Sequence, residues 1–160
     1  MNKFFTIIGC ILLLVCSARA RLGESPSEII KRYGPMKGTP KILGKNEWNG
    51  NFRHAGYDIT VTFWNGKAAE EEFFDDANSI AEDDAQTIFR AVSGDGKITP
   101  RRPSDPKLHT IYFDNLSNGA LGLLCNDGIN DGSLTVMSKD YMDFSGKNSR
   151  EATKKKMAGF

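Results

Sequence analysis

This 160-residue sequence has few cysteines and none of the common catalytic signatures. Cys10 and Cys16 lie near the N-terminus, and Cys125 stands alone in the rest of the chain. A disulfide is therefore excluded beyond the first twenty residues. No Gly-x-Ser-x-Gly, His-Glu-x-x-His or complete phosphate loop occurs, so the enzyme classes that these motifs define are not indicated. We predict no catalytic residues, no metal ligands and no cofactor.

The chain also lacks an excess of charge of either sign. Its 21 basic and 20 acidic residues give a formal net charge of +1. A basic excess is the electrostatic requirement for binding nucleic acid or an anionic membrane surface. We therefore predict no nucleic-acid partner.

The N-terminus has the three parts of a secretory signal peptide. Lys3 precedes an uncharged apolar run over residues 4–16, and Ala18 and Ala20 form a small-x-small cleavage site. A membrane-spanning helix needs about twenty apolar residues, and no later run is as long as this one. We predict a signal peptide over residues 1–20 and export to the periplasm or the medium. No stable membrane insertion is expected after cleavage.

Two helices are predicted from their boundary residues. Ser25 and Glu28 form a capping-box pattern, and Gly34 followed by proline ends that helix. Ser79 and Glu82 repeat the pattern before a second helix, which Gly94 closes.

Alternating apolar and polar residues predict strands over residues 57–64 and 67–74, joined by Asn-Gly, the strongest short hairpin signal. The register of the second strand stays open, because either of its faces could be buried. Further strands are expected over residues 48–53, 109–115, 120–125 and 133–138, and loops over residues 36–47 and 94–107. The fold class is α+β, with antiparallel sheet(s) and two helices packed on one face. Residues 21–144 form one domain, and residues 145–160 a basic, partly disordered or helical tail.

Two segments carry a resemblance to known proteins. Residues 28–35 read Glu-Ile-Ile-Lys-Arg-Tyr-Gly-Pro, and residues 56–68 read Gly-Tyr-Asp-Ile-Thr-Val-Thr-Phe-Trp-Asn-Gly-Lys-Ala. This pattern resembles a set of uncharacterised small exported bacterial proteins and, more distantly, outer-membrane assembly lipoproteins of the SmpA/OmlA type. The first resemblance implies no site residues. The second implies a helix on an antiparallel sheet that serves as an interaction module.

Aromatic residues cluster around the first predicted hairpin. Trp64 falls on the polar side of its strand, where an exposed ring could bind a partner or a glycan. Trp48 and Tyr57 belong to the same cluster and are weaker candidates. The Trp64 ring could equally cover the underside of a helix.

Acidic residues are dense between residues 70 and 84. They could bind Ca²⁺, supply the carboxylates of a small hydrolase of envelope carbohydrate or peptide, or form a solvated surface. The sequence favours an exported, non-enzymatic interaction module of the bacterial envelope over the hydrolase. An envelope protein or a glycan is the expected partner.

Overall fold

The computed structural model describes residues 22–75, 79–104, 109–126 and 132–157. The predicted signal peptide lies outside these residues. The helices are α1 (Pro26–Tyr33), α2 (Glu82–Ser93) and α3 (Lys139–Met157). The strands are β1 (Lys37–Gly44), β2 (Glu47–His54), β3 (Tyr57–Trp64), β4 (Lys67–Phe74), β5 (Ile98–Arg101), β6 (Thr110–Asn115), β7 (Leu121–Cys125) and β8 (Ser133–Met137).

All eight strands belong to one antiparallel sheet in the order β1-β2-β3-β4-β8-β7-β6-β5. Strands β1–β4 form one meander and β5–β8 a second, and the β4–β8 pair joins them at the centre. The α+β class with an antiparallel sheet is confirmed. The described part of the chain holds three helices: the two predicted ones and a third, Lys139–Met157, which includes most of the tail predicted to be partly disordered or helical.

Helix α1 has the boundaries that its sequence predicted. The backbone N–H and the hydroxyl of Ser25 both donate to Glu28 Oε2, at 2.8 and 2.6 Å. At the other end, Gly34 adopts a φ of 88° and its N–H donates to the carbonyl of Ile30 at 2.9 Å. A residue with a Cβ would be strained in that conformation, so the glycine ends the helix.

The register of the first hairpin is now defined. Val61 pairs with Glu71 and Ile59 with Phe73, and an irregularity after Thr62 shifts the pairing so that Phe63 lies opposite Ala68. Ala68, Glu71 and Phe73 therefore lie on the buried side. The sequence left two registers open for this strand, and the strand adopts both. Ala68 is buried on one side of the irregularity, and Glu71 and Phe73 are buried on the other.

Two predicted loops contain strands. Strand β1 lies within residues 36–47 and strand β5 within residues 94–107. All eight residues of β1 are exposed, as are three of the four residues of β5. These are the two edge strands of the sheet. An edge strand that buries neither face has no alternating pattern, and lysine, glycine and proline suit it.

The capping box predicted for the second helix is wrong. Helix α2 begins at Glu82, with Ala81 at the N-cap and no side-chain cap. Acidic residues at positions 82–84 occupy the first turn, where they interact favourably with the helix dipole.

Helix α3 starts at Lys139 and continues to Met157, so it crosses the predicted boundary between domain and tail at residue 144. Two aromatic residues in its first turns contact the sheet. The ring of Phe144 stacks on Trp64 with centroids 4.8 Å apart, and the Tyr141 hydroxyl donates to Glu47 Oε1 at 2.6 Å. No helix within the described ranges is both long and apolar enough to cross a membrane.

One apolar cluster forms the core. Helix residues Ile29, Tyr33 and Phe89 belong to it together with inward-facing strand residues. Phe89 stacks on Phe113 at 5.7 Å, and Gly122 leaves room for the Phe89 ring, since an added Cβ would come within 2.6 Å of its Cδ2.

Candidate binding surface

The strand residues that alternate with the core residues form a second, half-exposed surface, which we call the outer face. The pairing between neighbouring strands shows which residues of the outer face lie side by side. One row of paired residues crosses seven strands: Asn51, Thr60, Glu72, Thr135, Leu123, Tyr112 and Arg101. A second row runs beside it: Asn49, Thr62, Glu70, Met137, Leu121, Asp114 and Thr99.

The outer face is divided by chemistry at the β4–β8 seam. On the first meander its residues are polar or charged apart from two half-buried aromatic rings, Phe74 and Trp64, and β4 contributes Glu70 and Glu72, which we call the acidic pair. On the second meander β6, β7 and β8 contribute half-buried residues that we call the apolar strip: Tyr112, Leu121, Leu123 and Met137. An apolar patch beside an acidic one can bind a ligand that is itself amphiphilic.

Most charges on the outer face are already paired. Asp58 accepts from Arg53 Nη1 at 2.9 Å and from Lys37 Nζ at 3.0 Å. Asp114 accepts from Arg101 Nε at 3.3 Å, and the Arg101 guanidinium lies 4.8 Å from the centre of the Tyr112 ring.

The acidic pair differs from these carboxylates. Within the described residues, neither Glu70 nor Glu72 has an ion-pair partner, and the hydroxyl of Thr62 donates to Glu70 Oε1 at 3.2 Å. Burial raises the pKa of the Glu70 carboxyl, and the nearby charges of Glu72 and Glu47 raise it further against the lowering effect of Thr62. Burial also raises the pKa of Glu72. The pair is thus desolvated without compensation by a cation.

The three aromatic residues predicted as a partner site lie on different sides of the sheet. Trp64 is on the outer face, half-buried, with Phe144 and Tyr141 of α3 against its ring. Trp48 is on the core side and stacks on Phe63 at 4.1 Å. Tyr57 is also on the core side, edge-on to Phe73. The structure therefore does not bring the three together into one exposed cluster.

A cavity of about 420 Å³ opens beside Trp64. It lies between the turn that follows β3, the first residues of α3 and the chain at Leu22 and Gly23. Lys67 and Lys139 contribute to its wall, and Asp140 is the carboxylate among its described lining residues.

The acidic run of residues 70–84 is distributed over different environments. Glu71 faces the core, fully buried, where it accepts a hydrogen bond of 2.6 Å from the Tyr33 hydroxyl. Burial raises the pKa of Glu71 to about 7, although the Tyr33 hydrogen bond and the charge of Arg32 oppose that shift. Glu82 is ion-paired with Arg102. Among the residues whose positions are described, no group of three or more His, Cys, Asp or Glu side chains could hold a metal ion.

The sequence did not predict the apolar strip, nor that the acidic pair would have no ion-pair partner within the described residues. Both depend on which strands become neighbours, and the β4–β8 pairing brings together residues more than sixty positions apart. The alternation of polar and apolar residues in β3 did indicate a polar outer surface on that half of the sheet.

Comparison with known proteins adds little to this description. No protein-family model matches the chain, and no curated protein matches it. Among solved structures, a cysteine-rich secretory protein from Staphylococcus aureus subsp. aureus Mu50 is similar over 76% of this chain and 46% of its own, with 11% identity and a TM-score of 0.44. We draw no functional conclusion from a likeness at that level.

Proposed function

We propose that this protein is an exported, non-enzymatic binding module of the bacterial envelope whose protein partner docks on the outer face of the sheet. In this proposal helices α1 and α2 pack together on the opposite face. The first turns of α3 cover the outer face at Trp64 and Glu47, and the partner docks on the part that extends from the acidic pair to the apolar strip. The observation that carries the proposal is the pairing of an apolar strip with two desolvated carboxylates. Neither feature contributes to the core, and both oppose stability in isolation.

The proposed export of the protein rests on its N-terminal sequence. The positive residue, apolar run and small-x-small site of residues 1–20 support export. Amino-terminal sequencing of the protein purified from its own host tests this step: a chain that begins at Arg21 supports it, and one that begins at Met1 contradicts it. The distant resemblance to SmpA/OmlA-type lipoproteins, which are interaction modules, stays a prediction.

A cross-linked pull-down from the envelope and medium of the host would supply the partner. The captured protein is then purified separately and titrated against the wild-type chain and two variants. Leu123→Arg places a charge in the middle of the apolar strip. Thr87→Arg places the same charge on exposed α2 and serves as the matched control.

We expect Leu123→Arg to weaken binding by at least about tenfold, because a buried contact near the centre of an interface dominates affinity. Thr87→Arg should bind like the wild type. Equal affinity of the two variants would contradict the outer-face assignment, and unchanged circular dichroism would show that both remain folded.

A small hydrolase is the second candidate, because burial raises the pKa of Glu70 and Glu72 as a general acid requires. It makes a different prediction. The purified protein would cleave envelope carbohydrate or peptide without a partner, and Glu70→Gln or Glu72→Gln would abolish turnover. Absence of cleavage products by mass spectrometry would remove this candidate.

A further inference from the structure

The acidic pair occupies a defined position at the seam of the two meanders. Glu70 and Glu72 are two residues apart on β4, so their side chains emerge on the same face. Across the seam they are paired with Met137 and Thr135 of β8, and the apolar residues of β7 lie one strand further. Neighbouring strands are about 4.8 Å apart, so a ligand about 10 Å wide touches both patches.

The geometry points to a specific chemistry of the partner: it presents a polypeptide segment whose lysine or arginine ion-pairs with Glu70 and Glu72 while an adjacent aliphatic or aromatic side chain packs on Leu121 and Leu123. This inference rests on the proposed docking function of the outer face and names what docks there.

Charge complementarity supports a cationic side chain. Asp58 and Asp114 of this surface have their own cations, and Glu47 accepts a hydrogen bond from the Tyr141 hydroxyl. Within the described chain the acidic pair has no cation, and the charge of Glu47 adds to the negative potential around Glu70. A desolvated, uncompensated carboxylate costs stability, and such costs concentrate at functional sites. A cation supplied by the partner would offset that cost only in the complex.

A metal ion suits the site less well than a side chain. Ca²⁺ takes six to eight oxygen ligands. The described residues provide two carboxylates here, and the hydroxyl of Thr62 donates to Glu70. Lysine and arginine need fewer acceptors, and their long aliphatic stems can lie on the neighbouring apolar strip.

A library of random twelve-residue peptides displayed on phage tests the inference with the full-length protein. The library is selected on the wild-type chain and depleted on Leu123→Arg, so that the surviving peptides require the apolar strip. The strongest peptides are synthesised, and their affinity is measured against Glu70→Gln/Glu72→Gln. Asp83→Asn, which removes one exposed carboxylate from α2, is the control.

The inference predicts peptides in which a lysine or arginine stands beside an aliphatic or aromatic residue. The Glu70→Gln/Glu72→Gln variant should bind them at least about tenfold more weakly, with a reduced dependence on salt, and Asp83→Asn should bind normally. The double variant should also unfold at a higher temperature than the wild type, because it no longer buries ionised carboxylates. Its weaker binding could not then be ascribed to unfolding.

The possible failures are distinguishable. Selected peptides without basic residues, or peptides that bind the double variant as tightly as the wild type, would overturn the inference while leaving the docking surface in place. If the depletion step on Leu123→Arg removes every peptide that binds the wild type, or if no saturable binder is found at all, the docking function is overturned together with the inference.

Discussion

Residues 26–74 and residues 82–137 each run from a helix into a four-stranded antiparallel meander, and the two meanders meet at the β4–β8 pair. In the first, every strand has eight residues and the connections are two-residue turns. In the second, strands have four to six residues and the connections are longer. The same layout is thus reached with strong local hairpin signals in one half and weak ones in the other.

The two halves also differ in the polar group that ties each helix to the sheet. In the first half the Tyr33 hydroxyl of α1 donates to the buried carboxyl of Glu71. In the second, the side-chain amide of Asn115 donates to Ser93 Oγ at 3.1 Å and to the carbonyl of Gly94 at 3.2 Å, at the end of α2. The connection in the first half can ionise and the one in the second half cannot, so we expect a titrating helix-to-sheet contact in the first half.

The outer surfaces of the two halves differ in polarity, and this difference is the reverse of the one in their cores. The half with a carboxyl in its core is mostly polar outside, with the rings of Trp64 and Phe74 as exceptions, and the half with a neutral amide inside carries the apolar strip. The residues of the apolar strip lie outside the apolar core cluster, and the docking function that we propose would use this contrast across the seam.

The largest effect on stability is expected at the hydrogen bonds of the Asn115 amide to the end of α2. Asn115→Ala removes the amide that donates to Ser93 Oγ and to the buried carbonyl of Gly94, together with the side-chain oxygen that accepts from the Ser117 N–H. These losses should lower the free energy of unfolding by about 3 kcal/mol. Urea denaturation measures this loss, and it should be equal at low and neutral pH. Leu116→Ala, at an exposed neighbour, should change the free energy by less than about 0.5 kcal/mol. A loss for Asn115→Ala as small as that would show that the amide network is not needed.

An intermediate effect is expected from the titration of Glu71. Burial raises the pKa of its carboxyl to about 7 in the folded protein, from an ordinary value of 4.5. Below both values the two states are protonated alike and no penalty exists. As pH rises between them, the unfolded chain ionises first, so stability falls and the full penalty is reached above the folded pKa. We expect a fall of roughly 1–3 kcal/mol between about pH 5 and pH 8.

Glu71→Gln separates this titration from the others. The glutamine keeps an acceptor for the Tyr33 hydroxyl and cannot ionise, so most of the pH dependence should disappear. Glu70 and Glu72 shift in the same direction but are half-exposed, and they account for the smaller remainder. An unchanged slope of stability against pH in Glu71→Gln would contradict the assignment.

The smallest effect is expected where α3 meets the first half. Trp64→Ala removes the stacking of Phe144 and should cost about 1 kcal/mol, with the sheet still folded. Hydrogen exchange measures the consequence: amides in the first turns of α3 should exchange faster, while those of β3 should not. Global unfolding by this substitution would instead make Trp64 a core residue and remove it as a partner-binding candidate.

The sequence was most informative where the determinants are local. The capping pattern of α1, the Asn-Gly turn and the alternation along β3 depend on neighbouring residues, and all three appear in the structure as predicted. The edge strands β1 and β5 bury almost nothing, so no hydrophobic pattern marks them. Burial of Glu71 follows from an irregularity between β3 and β4, and the apolar strip follows from a distant pairing. Neither is encoded in any short window of sequence.

The location of the bound partner tests the central claim most directly. A photo-reactive benzoylphenylalanine is introduced in place of Leu123 on the outer face or of Thr87 on α2, and the full chain is irradiated in its own host. The account predicts one saturable cross-linked protein from position 123 and none from position 87. Cross-linking of the same partner from position 87 alone would place the binding surface on the helix side and contradict the account.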